Sequence, residues 1–421
     1  MRYPFFETEA VSSRFVSAGR MDCLIYENRD PSLRKSVGVV VIHSDSNYLN
    51  FSADIEFASR GYSVLAANPE GDGDLGQRLS AVSDCIRTLK QQAGVDKVVL
   101  FGHSGGATLM SAYQAIAENG TDIFKTPEMI LPYPDDEILP PADGLIFPDA
   151  NWGNAVMQLF SLDPAVTDNA SGMKLDPEYN LFEPENGFSE YGSHFSDEFI
   201  SRFLRKQGER NNEILNYALT RHEMIKAGKG LYSDDEPLVI PGANQGFFNN
   251  KLYAQDTRLM SHTAKPQKLL HADGSITREI VYSLRNPENP QSLTHSLLEG
   301  ARIMTVYNYL TSYAVRTTDA YWYGEAGVKG IDWHSTYSSP VGNIEYIRVP
   351  TLIMGMTAGW EYLAGETIFE HSAAADKDLV FVEGANHKFY PEHSVEKVPG
   401  QFGDTMQTLH DYMSQWITRH L

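Results

Sequence analysis

Three short stretches in the first third of the chain are almost uniformly apolar: residues 37–42, 62–67 and 97–101. Such runs, rich in valine and leucine, are typical of strands in a parallel sheet that is covered on both faces. The segments between them, 50–60 and 75–92, are compatible with helices that end at Gly61 and Gly94, because a helix C-terminus favours glycine. The pattern predicts alternating strands and helices, as in βαβ units.

The same alternation returns near the C-terminus. Four further segments continue it as strand, helix, strand and helix: 350–355, 365–375, 379–382 and 404–419. An apolar run at 144–147 predicts one more strand before the middle of the chain. We therefore predict that residues 1–149 and 348–421 form one α/β core, with a mostly parallel sheet flanked by helices.

Residues 150–347 lack this alternation. Helical patches at 196–220 and 297–315 are separated by clusters of proline, glycine and asparagine, without regular strand signals. No internal repeat or low-complexity tract interrupts the segment. We expect an inserted, mainly helical cap that packs against the core.

Composition and charge exclude several classes of partner. The 421 residues include 34 Lys and Arg against 55 Asp and Glu, and the net charge of −21 argues against nucleic acid or an anionic membrane. No segment approaches the roughly 18 consecutive apolar residues of a membrane span. The first residues contain no apolar run of signal-peptide length, so we expect a cytoplasmic protein.

The sequence predicts no metal and no cofactor. Cys23 and Cys85 are too few for a disulfide framework or a cysteine-built metal site. The histidines form no metal-binding pair with an acidic helper on one helix, and no P-loop or dinucleotide-binding glycine motif opens a helix.

A candidate nucleophile stands directly after the strand that ends at Phe101. The segment Gly102-His103-Ser104-Gly105 continues with Gly106 and then with residues compatible with a helix. This is the G-x-S-x-G pattern in the strand, turn and helix context that its chemistry requires. The turn is so tight that side chains at the outer glycines would collide with neighbouring elements, and the serine lies at a helix N-terminus that stabilises an oxyanion.

This arrangement resembles the nucleophile elbow of the α/β-hydrolase family, and the resemblance covers both ends of the chain. In that family, a His-Gly pair after an earlier strand begins the loop that supplies a second N–H group to the oxyanion hole. The equivalent segment here is His43-Ser44-Asp45, with serine in place of the glycine. The resemblance implies that the N–H groups of Gly105 and Asp45 form the oxyanion hole, while His43 braces the loop.

The family's catalytic histidine lies in the loop after the last strand. Here the strand predicted at 379–382 is followed by Gly384 and, three residues later, by His387, which matches that arrangement. A serine hydroxyl needs an adjacent base with a pKa near the working pH. We therefore predict His387 as the general base in preference to His393.

Two carboxylates compete for the third position of the catalytic triad. In the family the acid normally follows the penultimate strand, and the only carboxylate close after residues 350–355 is Glu361. Asp149, which follows the strand at 144–147, is the alternative because some members carry the acid one strand earlier. We prefer Glu361, since it preserves the chain order of serine, acid and histidine.

These residues predict a serine hydrolase that cleaves an ester or lactone of a bulky, hydrophobic small molecule. We expect four further residues to contact the substrate: His43, His103, Trp152 and Trp360. An enlarged cap is also a common dimer surface, so a homodimer is a further expectation.

Other readings of the same residues remain open. Aromatic residues are dense where the insertion returns to the core, at 307–337, and this density is more often core packing than a ligand cage. The same site is compatible with cleavage or closure of a carbon–carbon bond, or with transesterification, in secondary metabolism. A non-catalytic ligand receptor on a hydrolase scaffold is the alternative from a different class. Segments 141–146, 161–168 and 347–352 are similar to a microbial and fungal branch of the family.

Overall fold

A central sheet of ten strands organises the chain. The computed structural model describes residues 7–68, 74–92, 94–134, 136–170, 174–244, 251–287 and 300–421. The strands in these residues are β1 (Val11–Ala18), β2 (Met21–Asn28), β3 (Val37–Val41), β4 (Ser63–Ala67), β5 (Lys97–Phe101), β6 (Gly144–Pro148), β7 (Pro237–Ile240), β8 (Gln267–Leu270), β9 (Ile276–Glu279), β10 (Arg302–Thr305), β11 (Arg316–Tyr323), β12 (Val328–Asp332), β13 (Thr351–Met356) and β14 (Lys377–Val382). The helices are α1 (Ser52–Ser59), α2 (Leu75–Lys90), α3 (Gly106–Asn119), α4 (Asn154–Phe160), α5 (Asp197–Lys226), α6 (Leu252–Gln255), α7 (Val306–Ser312), α8 (Pro340–Asn343), α9 (Ala364–His371) and α10 (Thr405–His420).

The strand order of the sheet is β1-β2-β4-β3-β5-β6-β13-β14-β8-β9. Along the sheet from β4 to β8, every strand is parallel to its neighbour. The pairs β1/β2, β2/β4 and β8/β9 are antiparallel. Because β3, β5, β6, β13 and β14 are neighbours and run in the same direction, their carboxyl ends meet at one edge of the sheet. Binding and catalytic residues of open α/β sheets gather at this edge.

Helices cover both faces of the sheet, which explains the uniformly apolar strands. Every residue of β3, β4, β6 and β13 is buried. One face packs against α1 and α10, through residues such as Phe57 and Leu409. The other face packs against α2, α3 and α9, through residues such as Leu79, Leu109 and Ile368. Both faces of the central strands are therefore removed from water, as the sequence predicts.

The elements predicted for the two ends of the chain are confirmed. The three early apolar runs are β3, β4 and β5, and the last four predicted segments are β13, α9, β14 and α10. Cys23 and Cys85 are free and buried. Among the described helices, none combines the length and the apolar character that a membrane crossing needs.

The segment 150–347 differs from the expected helical pattern. The predicted patch at 196–220 is the long helix α5, but the patch at 297–315 contains β10 and α7, and its residues 297–299 lie outside the described residues. Strands β8 and β9 extend the main sheet beyond β14, while β7/β10 and β11/β12 form two small antiparallel sheets. Strands of four residues, such as β7 to β10, are too short to give a clear alternation in the sequence. That the segment forms a separate cap stays a prediction.

Candidate active site

Ser104 lies in a strained turn between β5 and α3. Its backbone φ is +53°, a left-handed value that is uncommon for a residue with a side chain. The Ser104 N–H donates a hydrogen bond to the carbonyl oxygen of Asp149 at 3.2 Å, which ties the turn to the end of β6. The side chain is half-buried at the carboxyl edge of the sheet.

The glycines that flank Ser104 are required by close contacts. A Cβ atom at Gly102 would lie 2.9 Å from the Cα of Ala107 and 2.9 Å from the ring of Phe147. A Cβ atom at Gly106 would lie 3.0 Å from the carbonyl oxygen of Ile42. These contacts agree with the steric reason for the G-x-S-x-G pattern.

Asp149 is the carboxylate nearest to His387. One carboxylate oxygen of Asp149 lies 2.7 Å from His387 Nδ1, and the other accepts the N–H of Met356 at 3.0 Å. The Asp149 side chain is fully buried, whereas that of His387 is 29% exposed. A Cβ atom at Gly359 would lie 2.5 Å from the Asp149 carboxylate, so glycine at this position leaves room for the acid.

Glu361 is a second buried carboxylate in the same cluster. Its Oε2 accepts a hydrogen bond from Ser104 Oγ at 3.4 Å and lies 3.5 Å from His387 Nδ1. Burial raises the pKa of Glu361, and the charge of Asp149 raises it further, while the charge of His387 opposes the shift. Both candidate acids therefore lie beside His387, and Asp149 makes the shorter contact.

The two carboxylates control the charge of His387. Burial alone would lower the pKa of His387, but the charges of Glu361 and Asp149 outweigh burial and raise this pKa to about 9. At neutral pH the imidazole is consequently protonated in this arrangement. In the described residues the side-chain hydrogen bond of Ser104 goes to Glu361, and none joins Ser104 to His387.

His103 holds the backbone of His387 in place. His103 Nε2 lies 2.7 Å from the carbonyl oxygen of His387, and its Nδ1 lies 2.6 Å from the hydroxyl of Tyr48. Burial and the charge of His387 lower the pKa of His103 well below its usual value, so its ring is neutral. Because a carbonyl oxygen only accepts, Nε2 donates and Nδ1 accepts from Tyr48. His103 thus contacts the base rather than acting as one.

The loop after β3 supplies the other side of the site. Gly105 N–H donates to none of the described residues and is free for an oxyanion. The N–H of Asp45 instead donates to His43 Nδ1 at 3.2 Å. Ser44 Oγ lies 3.2 Å from the Nδ2 of Asn154, at the start of α4. The structure brings Gly105 and this loop together, with the N–H of Asp45 directed at His43.

A cavity of about 660 Å³ opens onto Ser104, His387 and Glu361. Much of its wall is polar: Ser46, Asn47, Asn50, Ser52, Asn151 and Asn154. The apolar part of the wall comes from Tyr48, Phe51, Met157 and Tyr390. His43 and His103 also line this cavity, and their contact with substrate stays a prediction.

Two predicted substrate contacts lie elsewhere. Trp152 is fully buried and packs edge-on against Phe160, with ring centroids 5.5 Å apart. Trp360 is half-buried, and the guanidinium of Arg285 lies 5.7 Å from its ring. Neither tryptophan belongs to the wall of the cavity. In the sequence both tryptophans are close to the candidate acids. In the structure the Trp152 side chain lies in the protein interior, and the Trp360 ring lies against Arg285.

Among the cavity-wall side chains that sequence reasoning did not name are Tyr48, Arg302 and Lys388. Lys388 directly follows the predicted base and could have been named from that position. Tyr48 lies in the loop after β3, close to His43, but a tyrosine in a loop carries no motif. Arg302 lies within the segment 150–347, far along the chain from Ser104, and only the folded chain shows that it reaches the cavity.

Asp149, Glu361 and His387 could also hold a metal ion, since one ligand atom from each lies within 4.8 Å of the others. Both oxygens of Asp149 already bond to His387 and to the N–H of Met356. A metal would have to replace the contact between Asp149 and His387. The donor set therefore fits a hydrogen-bonded base better than a metal centre.

Comparisons with known proteins give similarities to solved structures at low sequence identity and with TM-scores below 0.5. No protein-family model and no curated protein sequence matches the chain. Among solved structures, it is similar to the alpha/beta hydrolase GrgF from Penicillium sp. sh18, with 14% identity, coverage of 97% of this chain and 98% of that chain, and a TM-score of 0.41. It is also similar to Est1E from Butyrivibrio proteoclasticus, with 12% identity, coverage of 96% and 99%, and a TM-score of 0.40. A serine hydrolase involved in carbazole degradation has 12% identity, coverage of 97% and 100%, and a TM-score of 0.36.

The strand order of the chain is itself that of the α/β-hydrolase fold. A largely parallel sheet begins with an antiparallel pair, and a strained serine stands between a central strand and its helix. Fold alone does not fix the chemistry, which depends on the site.

Proposed function

We propose that this protein is a serine hydrolase that cleaves a carboxylic ester or lactone, with Ser104 as nucleophile, His387 as general base and Asp149 as the acid of the triad. The observation that carries the proposal is the arrangement at the carboxyl edge of the sheet. A serine in strained backbone geometry shares one cavity with a histidine, which is hydrogen-bonded at 2.7 Å to a fully buried aspartate.

In the first half of the reaction, Ser104 Oγ attacks the carbonyl carbon while His387 takes the hydroxyl proton. The carbonyl oxygen becomes an oxyanion, and His387 then returns the proton to the leaving alcohol as the acyl-enzyme forms. In the second half, His387 deprotonates a water molecule that attacks the acyl-enzyme. The carboxylic acid product then leaves, and Ser104 Oγ takes back its proton from His387.

Asp149 supports this mechanism better than Glu361 does. Its contact at Nδ1 fixes the proton on that nitrogen, so Nε2 is the basic nitrogen when His387 is neutral. Its second oxygen is held by the N–H of Met356, which fixes the carboxylate itself. The longer contact to Glu361 lacks such a hydrogen bond and leaves Glu361 as an electrostatic neighbour.

The mechanism requires two local adjustments. Ser104 Oγ must turn from Glu361 toward His387 before it attacks, and catalytic hydrogen bonds of this type often tighten only when substrate binds. The oxyanion hole uses the free N–H of Gly105 and a second N–H from the Ser44–Asp45 loop. If Asp45 supplies it, that N–H must leave His43 Nδ1.

The expected bulky, hydrophobic substrate stays a prediction. Most of the aromatic side chains at 307–337, including Tyr309, Tyr321 and Tyr337, are buried in the core rather than in the cavity. The cavity volume suits a small molecule, because ligand pockets usually measure about 300 to 1,000 Å³. The polar part of the wall supports a substrate that carries polar groups beside its ester.

Hydrolysis of p-nitrophenyl esters and of a simple δ-lactone tests the proposal. We expect turnover by the wild type and loss of turnover in Ser104→Ala. Ser59→Ala, which makes the same change at an exposed position of α1, is the matched control and should keep wild-type activity. Equal turnover in Ser104→Ala and in the wild type would exclude Ser104 as the nucleophile.

A further inference from the structure

Arg302 presents a guanidinium to the active-site cavity. It lies in β10 of the insertion and lines the same cavity as Ser104 and His387. Its guanidinium carbon lies 4.1 Å from the centroid of the Tyr313 ring, a cation–π geometry that holds the planar group in one orientation. Arg302 is half-buried, so part of its side chain is withdrawn from water.

No protein acceptor uses this guanidinium. In the described ranges, Arg302 forms neither an ion pair nor a side-chain hydrogen bond. Other half-buried arginines are paired: Arg221 contacts Glu236 at 2.7 Å, and Arg60 contacts Asp411 at 2.7 Å. An arginine carries five N–H donors, and those of Arg302 are available to a ligand that enters the cavity.

Among the described residues, no carboxylate of the cavity wall forms an ion pair with Arg302. The Asp45 carboxylate lies 2.9 Å from His43 Nδ1; burial raises the pKa of Asp45, but this contact and the charge of Arg302 outweigh burial and lower it. Glu361 is directed at Ser104 and His387. Lys388 adds a second positive charge to the wall. Arg302 and Lys388 thus bring two positive charges to the cavity wall of a protein whose net charge is −21.

We propose that the substrate carries a carboxylate away from its scissile bond and that Arg302 binds this carboxylate. The planar guanidinium matches the two oxygens of a carboxylate in a bidentate geometry, and stacking on Tyr313 pre-orients it. This inference rests on the proposed ester hydrolysis, for which it names the substrate class.

Matched substrate pairs test the inference. One pair places the charge on the acyl side, as mono-p-nitrophenyl glutarate against p-nitrophenyl pentanoate. The other places it on the alcohol side, as para-acetoxybenzoate against its methyl ester. For each pair, the ratio of kcat/KM for the anionic ester to that for the neutral ester is measured in the wild type, Arg302→Gln and Arg302→Lys.

We expect this ratio to fall about tenfold or more in Arg302→Gln for at least one pair, the loss expected for a charge-assisted hydrogen bond. Arg302→Lys should restore part of the ratio, because lysine keeps the positive charge but lacks the planar guanidinium that binds both oxygens of a carboxylate. Arg202→Gln is the matched control, since Arg202 also stacks on an aromatic ring, Phe199 at 5.1 Å, but lies outside the cavity wall. This control should leave the ratio unchanged.

The outcomes separate the two proposals. If the wild type hydrolyses the neutral esters but Arg302→Gln leaves both ratios unchanged, the carboxylate site is wrong and the hydrolase proposal stands. If the wild type hydrolyses no ester, the hydrolase proposal fails, and ligand-observed NMR with monomethyl glutarate decides the site. Binding that is lost in Arg302→Gln supports the site, and binding that is equal in both proteins overturns it.

Discussion

Glu361→Gln separates the role of the second carboxylate from that of the triad acid. The substitution keeps the shape of the side chain and removes its negative charge. Glu361 and Asp149 both favour the protonated form of His387, while Lys388 opposes it and the neighbouring His103 is neutral. Because one of the two negative charges disappears, the pKa of His387 should fall from its raised value of about 9.

The size of this fall follows from the contact distance. For unit charges 3.5 Å apart, Coulomb's law gives about 1.2 kcal/mol in water and about 4.7 kcal/mol at an effective dielectric constant of 20. Since about 1.36 kcal/mol corresponds to one pKa unit, the expected fall is about 0.9 to 3.5 units. The partial exposure of His387 favours the lower part of this range.

The assay is the pH dependence of kcat/KM for a neutral ester. Only neutral His387 can accept the Ser104 proton, so activity of the wild type should rise with pH toward about 9. In Glu361→Gln the rise should occur at a pH about one unit or more lower, and activity on the high-pH plateau should change by less than about tenfold.

Asp149→Asn is the comparison that makes this result decisive. It removes the 2.7 Å contact that fixes the tautomer of His387, and loss of a triad aspartate lowers kcat by about 10⁴ at most pH values in an established triad. Two results would refute the reasoning: an unshifted profile in Glu361→Gln, or a plateau loss in Glu361→Gln as large as that in Asp149→Asn. The second result would make Glu361 the triad acid.

Three further substitutions test the scaffold of the site. Gly102→Ala should lower the free energy of unfolding by about 1 to 3 kcal/mol, because its Cβ would lie 2.9 Å from neighbouring atoms. Gly365→Ala is the control: its Cβ would have contacts of 3.4 Å or more, and the change should lower the free energy of unfolding by less than about 1 kcal/mol. Urea unfolding measures both values. Tyr48→Phe removes the donor to His103 Nδ1 and should destabilise the fold by about 1 to 3 kcal/mol; an unchanged unfolding midpoint would contradict this hydrogen bond. Asp54 is fully buried, and in the described structure its carboxylate oxygens have no hydrogen-bond partner, so burial raises its pKa well above the usual value. The unfolded chain then releases a proton that the folded protein retains, and stability falls as pH rises above the unfolded pKa, by up to about 1.4 kcal/mol per pH unit. Asp54→Asn should therefore gain more stability relative to the wild type at pH 8 than at pH 5, and an equal gain at both pH values would contradict the buried, protonated carboxyl.

The strands around the site could be predicted because they are buried on both faces. β3, β5 and β6 are uniformly apolar, and each is followed at once by residues with chemical function. The position of Ser104 followed from the steric needs of its turn, and that of His387 from its place after the last parallel strand. These features depend on local sequence, which explains why they were visible without the fold.

The choice of acid depended on geometry that the sequence does not contain. β6 and β13 are neighbours in the sheet, so Asp149 and Glu361 follow the carboxyl ends of adjacent strands and both reach His387. The preference for Glu361 rested on chain order, whereas the contact distances favour Asp149. A difference between 2.7 Å and 3.5 Å is set by packing around Gly359 and Met356 rather than by spacing along the chain.

The segment 150–347 could be predicted least well. β8 joins the main sheet through pairing with β14, more than 100 residues later in the chain. β9 pairs with β8 and is exposed along its whole length. Such a strand has no apolar pattern to reveal it. Arg302 reaches the cavity from this segment, so its place in the site also depends on long-range packing.

Intact-mass detection of a fluorophosphonate adduct tests the central claim most directly. The wild type should gain one adduct, Ser104→Ala and His387→Ala should gain none, and Asp149→Asn should label far more slowly than Glu361→Gln at pH 9. An adduct on Ser104→Ala equal to that on the wild type would contradict the account, because it would place the activated nucleophile elsewhere in the chain.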